Sequence, residues 1–114
     1  MENTILTQPQ KIEFILNKGC EYFGLDREVI SQNNIRGKSQ WEKKRYFAPI
    51  LYEHTAATLN EIATLLGFKD HSSVIYHMKK INEELSDAVY GSKKTRVIYK
   101  ELLAYINLEE NETT

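Results

Sequence analysis

Asp70, His71, Ser72 and Ser73 place a carboxylate, an imidazole and two hydroxyls on consecutive residues near the middle of the chain. On the first turn of a helix, such a set can accept from a cytosine amino group, meet a thymine methyl, or hydrogen-bond a base edge or a phosphate. The flanking residues supply that helix. Thr58 and Glu61 have the spacing of a capping box, and Gly67 can take the left-handed conformation that closes the helix they start. Asp70 then caps the next helix. Two short helices joined by a three-residue turn have the geometry of a helix-turn-helix, whose second helix brings its N-terminal residues to base edges in the major groove. Each residue also has a plainer use, because Asp caps helices without DNA and Ser favours first turns.

At these residues the chain resembles a known family. The Ile62 to Ile81 block is similar to the signature of the C-terminal DNA-binding domain of the bacterial replication initiator DnaA, I-G-x-x-F-G-G-R-D-H-[ST]-[ST]-V followed by a basic amphipathic helix. The similarity runs upstream without gaps and covers roughly residues 17 to 85, with Lys44 and Arg45 at the family's Arg-Gln pair and Arg36 at its loop arginine. The resemblance implies that Asp70, His71 and Ser72 read bases and that Arg36 enters the minor groove, where narrow A·T tracts attract arginine. Lys38, Lys44, Arg45, Lys69, Ser73, Tyr76, Lys79 and Lys80 are the expected phosphate contacts, which fix register without reading sequence. Departures from the pattern bear on the target. Phe68 replaces the second glycine of the turn, Lys69 replaces an arginine and so loses a bidentate donor, and the serines lack the methyl groups of the commoner threonines. Tyr52 stands where a basic residue is frequent.

The bulk composition is compatible with this. A chain of 114 residues is one domain by length and can bury a core without a metal or disulfide framework. Its formal net charge is only -1, yet residues 36 to 45 hold Arg36, Lys38, Lys43, Lys44 and Arg45 against the single acid Glu42, while residues 101 to 114 hold four Glu and no base. That asymmetry suits a basic binding face with an acidic, solvating tail. Cys20 has no partner for an intramolecular disulfide, lies on an apolar face, and reads as a buried structural thiol rather than a nucleophile. The N-terminus lacks a signal-peptide pattern and no apolar run approaches the ~20 residues of a membrane helix, so the cytoplasm is the expected compartment, with no membrane partner.

Enzymatic chemistry has little support. His54, His71 and His77 show neither H-x-x-x-H nor Cys/His metal spacing, and His77 flanks an apolar stripe as a core histidine would. No G-x-x-x-x-G-K-[ST] occurs, so the chain is expected to lack the ATPase module of the full-length initiator and not to be an initiator by itself. No metal, cofactor or small-molecule substrate is expected.

Helical periodicity runs through the chain. A first helix opens at the Thr7 to Gln10 box and ends at Gly24; a short second one spans about Asp26 to Gln32; a polar loop follows to Lys38. A Ser39 and Glu42 box starts the next helix, which runs to about Thr55 with Phe47, Ile50, Leu51 and His54 inward and a kink at Pro49. In the recognition helix Val74, Ile75, Met78, Ile81 and Leu85 form the inner stripe, and Ser72, Tyr76, Lys79, Lys80 and Glu83 the other side. A last helix, about Lys93 to Leu108, lies outside the family similarity. The expected fold is all-α, a helix-turn-helix bundle of five or six helices of the Trp-repressor-like kind. The expected function is sequence-specific double-stranded DNA binding to initiator-type boxes, as a stand-alone regulator of replication initiation or transcription, with the full-length initiator a candidate second partner. The alternative is a protein-interaction module that keeps the fold and binds through the last helix.

Overall fold

Capping chemistry sets most helix boundaries of this chain. The computed structural model describes residues 7–31, 42–86 and 91–106. α1 (Gln8–Phe23) begins with the reciprocal box its sequence encodes: the Gln10 amide donates to Thr7 Oγ1 at 3.3 Å and the Thr7 amide to Gln10 Oε1 at 3.0 Å. It ends at Gly24, whose φ of 71° is open to glycine at little cost. Its inner face buries Ile15, Leu16, Gly19 and Cys20. Burial pushes the Cys20 thiol above its ordinary pKa, as a structural thiol requires.

The expected helix over 26–32 is a single 3-10 turn, Val29–Ser31, opened by a Val29 amide bond to the Asp26 carbonyl at 3.1 Å. In that turn Ile30 alone is buried, too small an anchor to offset the cost of nucleating a longer helix. The loop before residue 42, with the Ser39 cap, lies outside the described residues.

Pro49 reverses a second expectation. Residues 42–44 are helical, residues 45–46 form a turn, and α2 (Phe47–His54) starts afresh. Pro49 thus sits in the first turn of a helix, where an amide hydrogen has no intrahelical partner to lose. The carbonyl that a proline cannot reach is used one residue earlier, because the Ala48 amide donates to Arg45 O at 3.3 Å. Two segments therefore replace one kinked helix.

α3 (Leu59–Leu66) carries a second complete box, with the Thr58 amide on Glu61 Oε1 at 2.7 Å and the Glu61 amide on Thr58 Oγ1 at 3.1 Å. α4 (His71–Ser86) follows after a short turn, and α5 (Lys93–Ile106) is capped by Ser92, which accepts from the Thr95 amide at 3.1 Å. Residues 107 and 108 of the expected last helix are outside the described part. No strand occurs among the described residues, and the fold is an all-α helix-turn-helix bundle. Leu16, Phe47, Ile50, Leu51, Ile62, Leu66, Val74, Ile81, Leu102 and Ile106 are wholly buried in one cluster. α5 belongs to it, and its outer hydrogen bonds hold it to α1: Tyr22 donates to Glu101 at 2.8 Å and Tyr105 to Glu21 at 2.7 Å.

α1 passes α2 so closely that a methyl group on Gly19 would overlap the Phe47 ring. Gly19→Ala should therefore lower stability by about 1–3 kcal/mol, the usual cost of overpacking a core. Thermal melts read by circular dichroism would measure it, and an unchanged melting temperature would mean that the two helices can separate at no cost.

Candidate nucleic-acid interface

Gly67 and Asp70 shape the turn between α3 and α4. Gly67 takes φ 67° and ψ 29°, and the amides of Gly67 and Phe68 close α3 by donating to Thr64 O at 3.3 Å and Ala63 O at 2.8 Å. Asp70 caps α4 by accepting from the Ser73 amide at 3.2 Å. Only one carboxylate oxygen is needed for that bond, and Asp70 is exposed.

Between them Phe68 is 8% exposed. Its ring packs on His77 with centroids 4.8 Å apart, and the Lys44 ammonium lies 5.4 Å from its centroid. These contacts fix the start of α4 against α3 and the chain before α2. Burial, with the nearby charges of Arg45 and Lys44, lowers the His77 pKa to about 4. Burial also lowers that of Lys44 to about 8. The core-histidine reading of His77 fits its place here.

The outer side of α4 presents the sequence-predicted residues in one arc. At about 100° per residue, His71, Lys79, Ser72, Tyr76 and Lys80 follow one another around the helix, and all are exposed. Lys69, in the turn, is exposed as well, and Ser73 is half-buried beside its cap. Ile75 corrects the expected inner stripe. It is 45% exposed, whereas Val74, His77 and Ile81 face the core. The signal was available, because Ile75 follows Val74 by about 100° and so leaves the stripe that Val74, Met78, Ile81 and Leu85 define.

Two expected phosphate contacts lie elsewhere. Lys44 has no exposed surface, so its ammonium does not face a DNA backbone; it is part of the packing under the turn. Arg45 directs its guanidinium to Glu84, Nη2 to Oε1 at 3.3 Å, with both side chains about one-fifth exposed. Glu84 also accepts from Thr95 Oγ1 at 2.5 Å, and its carbonyl accepts from the Ser92 amide at 2.9 Å. The far end of α4 is thereby tied to both the 42–46 segment and α5. A recess of about 700 Å³ near this network, lined by Tyr22, Tyr46, Arg45 and Thr95 among others, includes no residue of the exposed arc. Arg36 and Lys38 lie outside the described residues.

A left-handed turn at Gly67, a buried Phe68 and a capped second helix with an exposed polar tip give α3 and α4 the form of a helix-turn-helix. The chain belongs to the bacterial DnaA helix-turn-helix family, whose profile matches residues 12–81. It is similar to the chromosomal replication initiator protein DnaA of Chloroflexus aggregans and to those of two strains of Chloroflexus aurantiacus, 32% identical in each case over 74 residues. The match covers 65% of this chain and 15% of each relative. α5 lies beyond the matched segment. Among the described residues no helix is long and apolar enough to cross a membrane.

The buried pair gives the fold a defined pH response. An unfolded chain protonates histidine near pH 6.5 while folded His77 resists until about 4, so the unfolded state binds more protons in that window. Stability should fall as pH drops from 6.5 towards 4, and His77→Phe should flatten that fall. Lys44 acts with the same sign higher up: its ordinary value is 10.5 and its folded value about 8, so stability should rise from pH 8 towards 10. Denaturant titrations of Lys44→Met should lose the rise. An undiminished rise in that variant would contradict burial of the ammonium.

Proposed function

We propose that the chain reads initiator-type boxes in double-stranded DNA by inserting the N-terminal turn of α4 into the major groove. In this reading Asp70, His71 and Ser72 touch base edges, while Lys69, Ser73, Tyr76, Lys79 and Lys80 hold phosphates. The observation that carries it is the undivided exposed arc of α4 from His71 to Lys80. The core takes Val74, His77 and Ile81 from the opposite side of α4, and Glu84 holds the far end. The family resemblance adds Arg36 as a minor-groove contact and Lys38 as a phosphate contact. Residues up to 106 act as one unit, because Leu102 and Ile106 are buried in the same core as Val74.

The biological role we infer is occupancy of such boxes in the cytoplasm to regulate replication initiation or transcription, without nucleotide hydrolysis by this chain; the full-length initiator, acting on the same boxes, is its natural competitor or partner. The absence of a G-x-x-x-x-G-K-[ST] motif from the sequence supports the second clause. A protein-docking role for the last helix has less behind it. Leu102 and Ile106 are spent on the core, and the exposed Tyr105 donates its hydroxyl to Glu21.

Selection of bound sequences from a random duplex pool, followed by titration of variants, tests the proposal. His71→Ala and Ser72→Ala should each cost about 1–3 kcal/mol on the selected duplex and little on random duplex. Asp70→Ala should do the same after correction for the ~1 kcal/mol that a lost cap costs the fold. Lys79→Ala combined with Lys80→Ala should weaken all sequences alike and flatten the salt dependence by about two units, from ~0.9 per phosphate neutralised. Lys44→Met should leave the salt slope unchanged. Affinity that is independent of salt, or equal losses on selected and random duplex, would contradict the proposal.

A further inference from the structure

The recess of about 700 Å³ lies between the end of α1, the segment before α2, the far end of α4 and the start of α5. Its size is that of small-molecule sites, which run from about 300 to 1,000 Å³. One wall is aromatic. Phe23 packs on Tyr22 and on Tyr46, with ring centroids 5.1 and 5.9 Å apart, and all three line the space beside Ile98. Cations gather in the same space. Lys43 and Lys94 line it, and among the described residues neither makes an ion pair. Arg45 gives Glu84 a bond from Nη2, while its Nε is buried and has no hydrogen-bond partner. A buried donor of a charged group is costly to leave unpaired, so an acceptor that reaches it is bound more strongly than at a wet surface. Of the lining acids Glu42 and Glu84, the second is already engaged by Arg45 and Thr95, which leaves the recess with an excess of available positive charge.

We propose that this recess is a binding site for a small molecule in which a planar aromatic ring carries an anionic group, a carboxylate or a phosphate. The ring lies against the aromatic wall, where offset or edge-on contact adds to apolar burial. The anionic group takes Lys43, Lys94 and the free Nε of Arg45. Arg45 can serve the ligand and Glu84 together, because a guanidinium has several N–H donors in a fixed fork. Neither half of the ligand suffices alone. A ring without charge leaves Nε unpaired, and a simple anion leaves the aromatic wall to water. The residues from His71 to Lys80 do not line the recess, so the site is separate from the arc assigned to DNA and stands whether or not that arc reads bases.

The experiment titrates the full chain with naphthoate and with adenosine monophosphate, which carry the two anionic groups on aromatic rings, and follows the backbone amide resonances. At least one should saturate with a Kd below about 1 mM, with the largest shifts on Lys43, Arg45, Tyr46, Thr95 and Ile98. Which of them saturates tells a carboxylate ligand from a phosphate. Acetate, inorganic phosphate and adenosine each lack one half and should bind at least about ten-fold more weakly. Lys94→Glu, at an exposed position, and Lys43→Ala should each weaken the aromatic anion, the first by about ten-fold or more, and keep the wild-type melting temperature. Lys79→Ala combined with Lys80→Ala should bind it as wild type does. Saturation by neither compound below about 5 mM would overturn the assignment. So would a simple anion that binds as well as its aromatic counterpart, shifts centred on His71 to Lys80, or an affinity unchanged in both lysine variants.

Discussion

The interface depends on the burial of Phe68 against His77. That stack joins the turn to the second turn of α4, at 4.8 Å between ring centroids, and Lys44 comes up beside it from the segment before α2. A helix-turn-helix works only if the angle between its two helices is fixed, because the reading residues are carried by one and oriented by the other. Here the angle is set by an aromatic side chain where the family signature has glycine. Gly67 supplies the left-handed residue, and Phe68 turns the next position from a flexible link into a core contact. The departure of Phe68 from the family pattern is met by a lysine at the family's arginine position. A compact ammonium on a flexible stem can lie near the ring face, where a cation is attracted to the ring quadrupole.

α4 is held as firmly at its far end. Glu84 gathers Arg45, Thr95 and, through its carbonyl, the Ser92 amide. Burying that carboxylate without partners would be costly, and two donors on its side chain satisfy it. α5 therefore closes the core and anchors the recognition helix, although it lies outside the family match. With both ends fixed and the inner face buried, α4 is preorganised, which limits the ordering cost of binding. The side of α4 that carries His71, Ser72, Tyr76, Lys79 and Lys80 is left to solvent.

Much of this was legible in the chain. Both Thr boxes, the left-handed glycines at 24 and 67, and the Asp70 cap are local devices, each satisfied by residues within a few positions, so their spacing in sequence suffices to read them. The misread residues are those whose role is decided by distant partners. The place of Lys44 in the family's Arg-Gln pair points to a phosphate, yet the side chain is fully buried with its ammonium 5.4 Å from the ring centroid of Phe68, a residue far along the chain. Arg45 meets an acid 39 positions away. Pro49 fits the kink of an old helix as well as the first turn of a new one, and in that first turn its missing amide hydrogen has no partner to lose. The apolar character of Ile75 suggests the core, but the angle from Val74 puts it outside.

The central claim is that duplex DNA engages the outer arc of α4. Titration of isotope-labelled protein with the selected duplex, followed through its backbone amide resonances, tests it most directly. The account predicts that the largest shifts cluster between Lys69 and Lys80, while the outer faces of α1 and α5, including Val97 and Tyr105, stay unperturbed. Shifts concentrated on α5, with the amides of His71 and Ser72 unmoved at saturation, would contradict it.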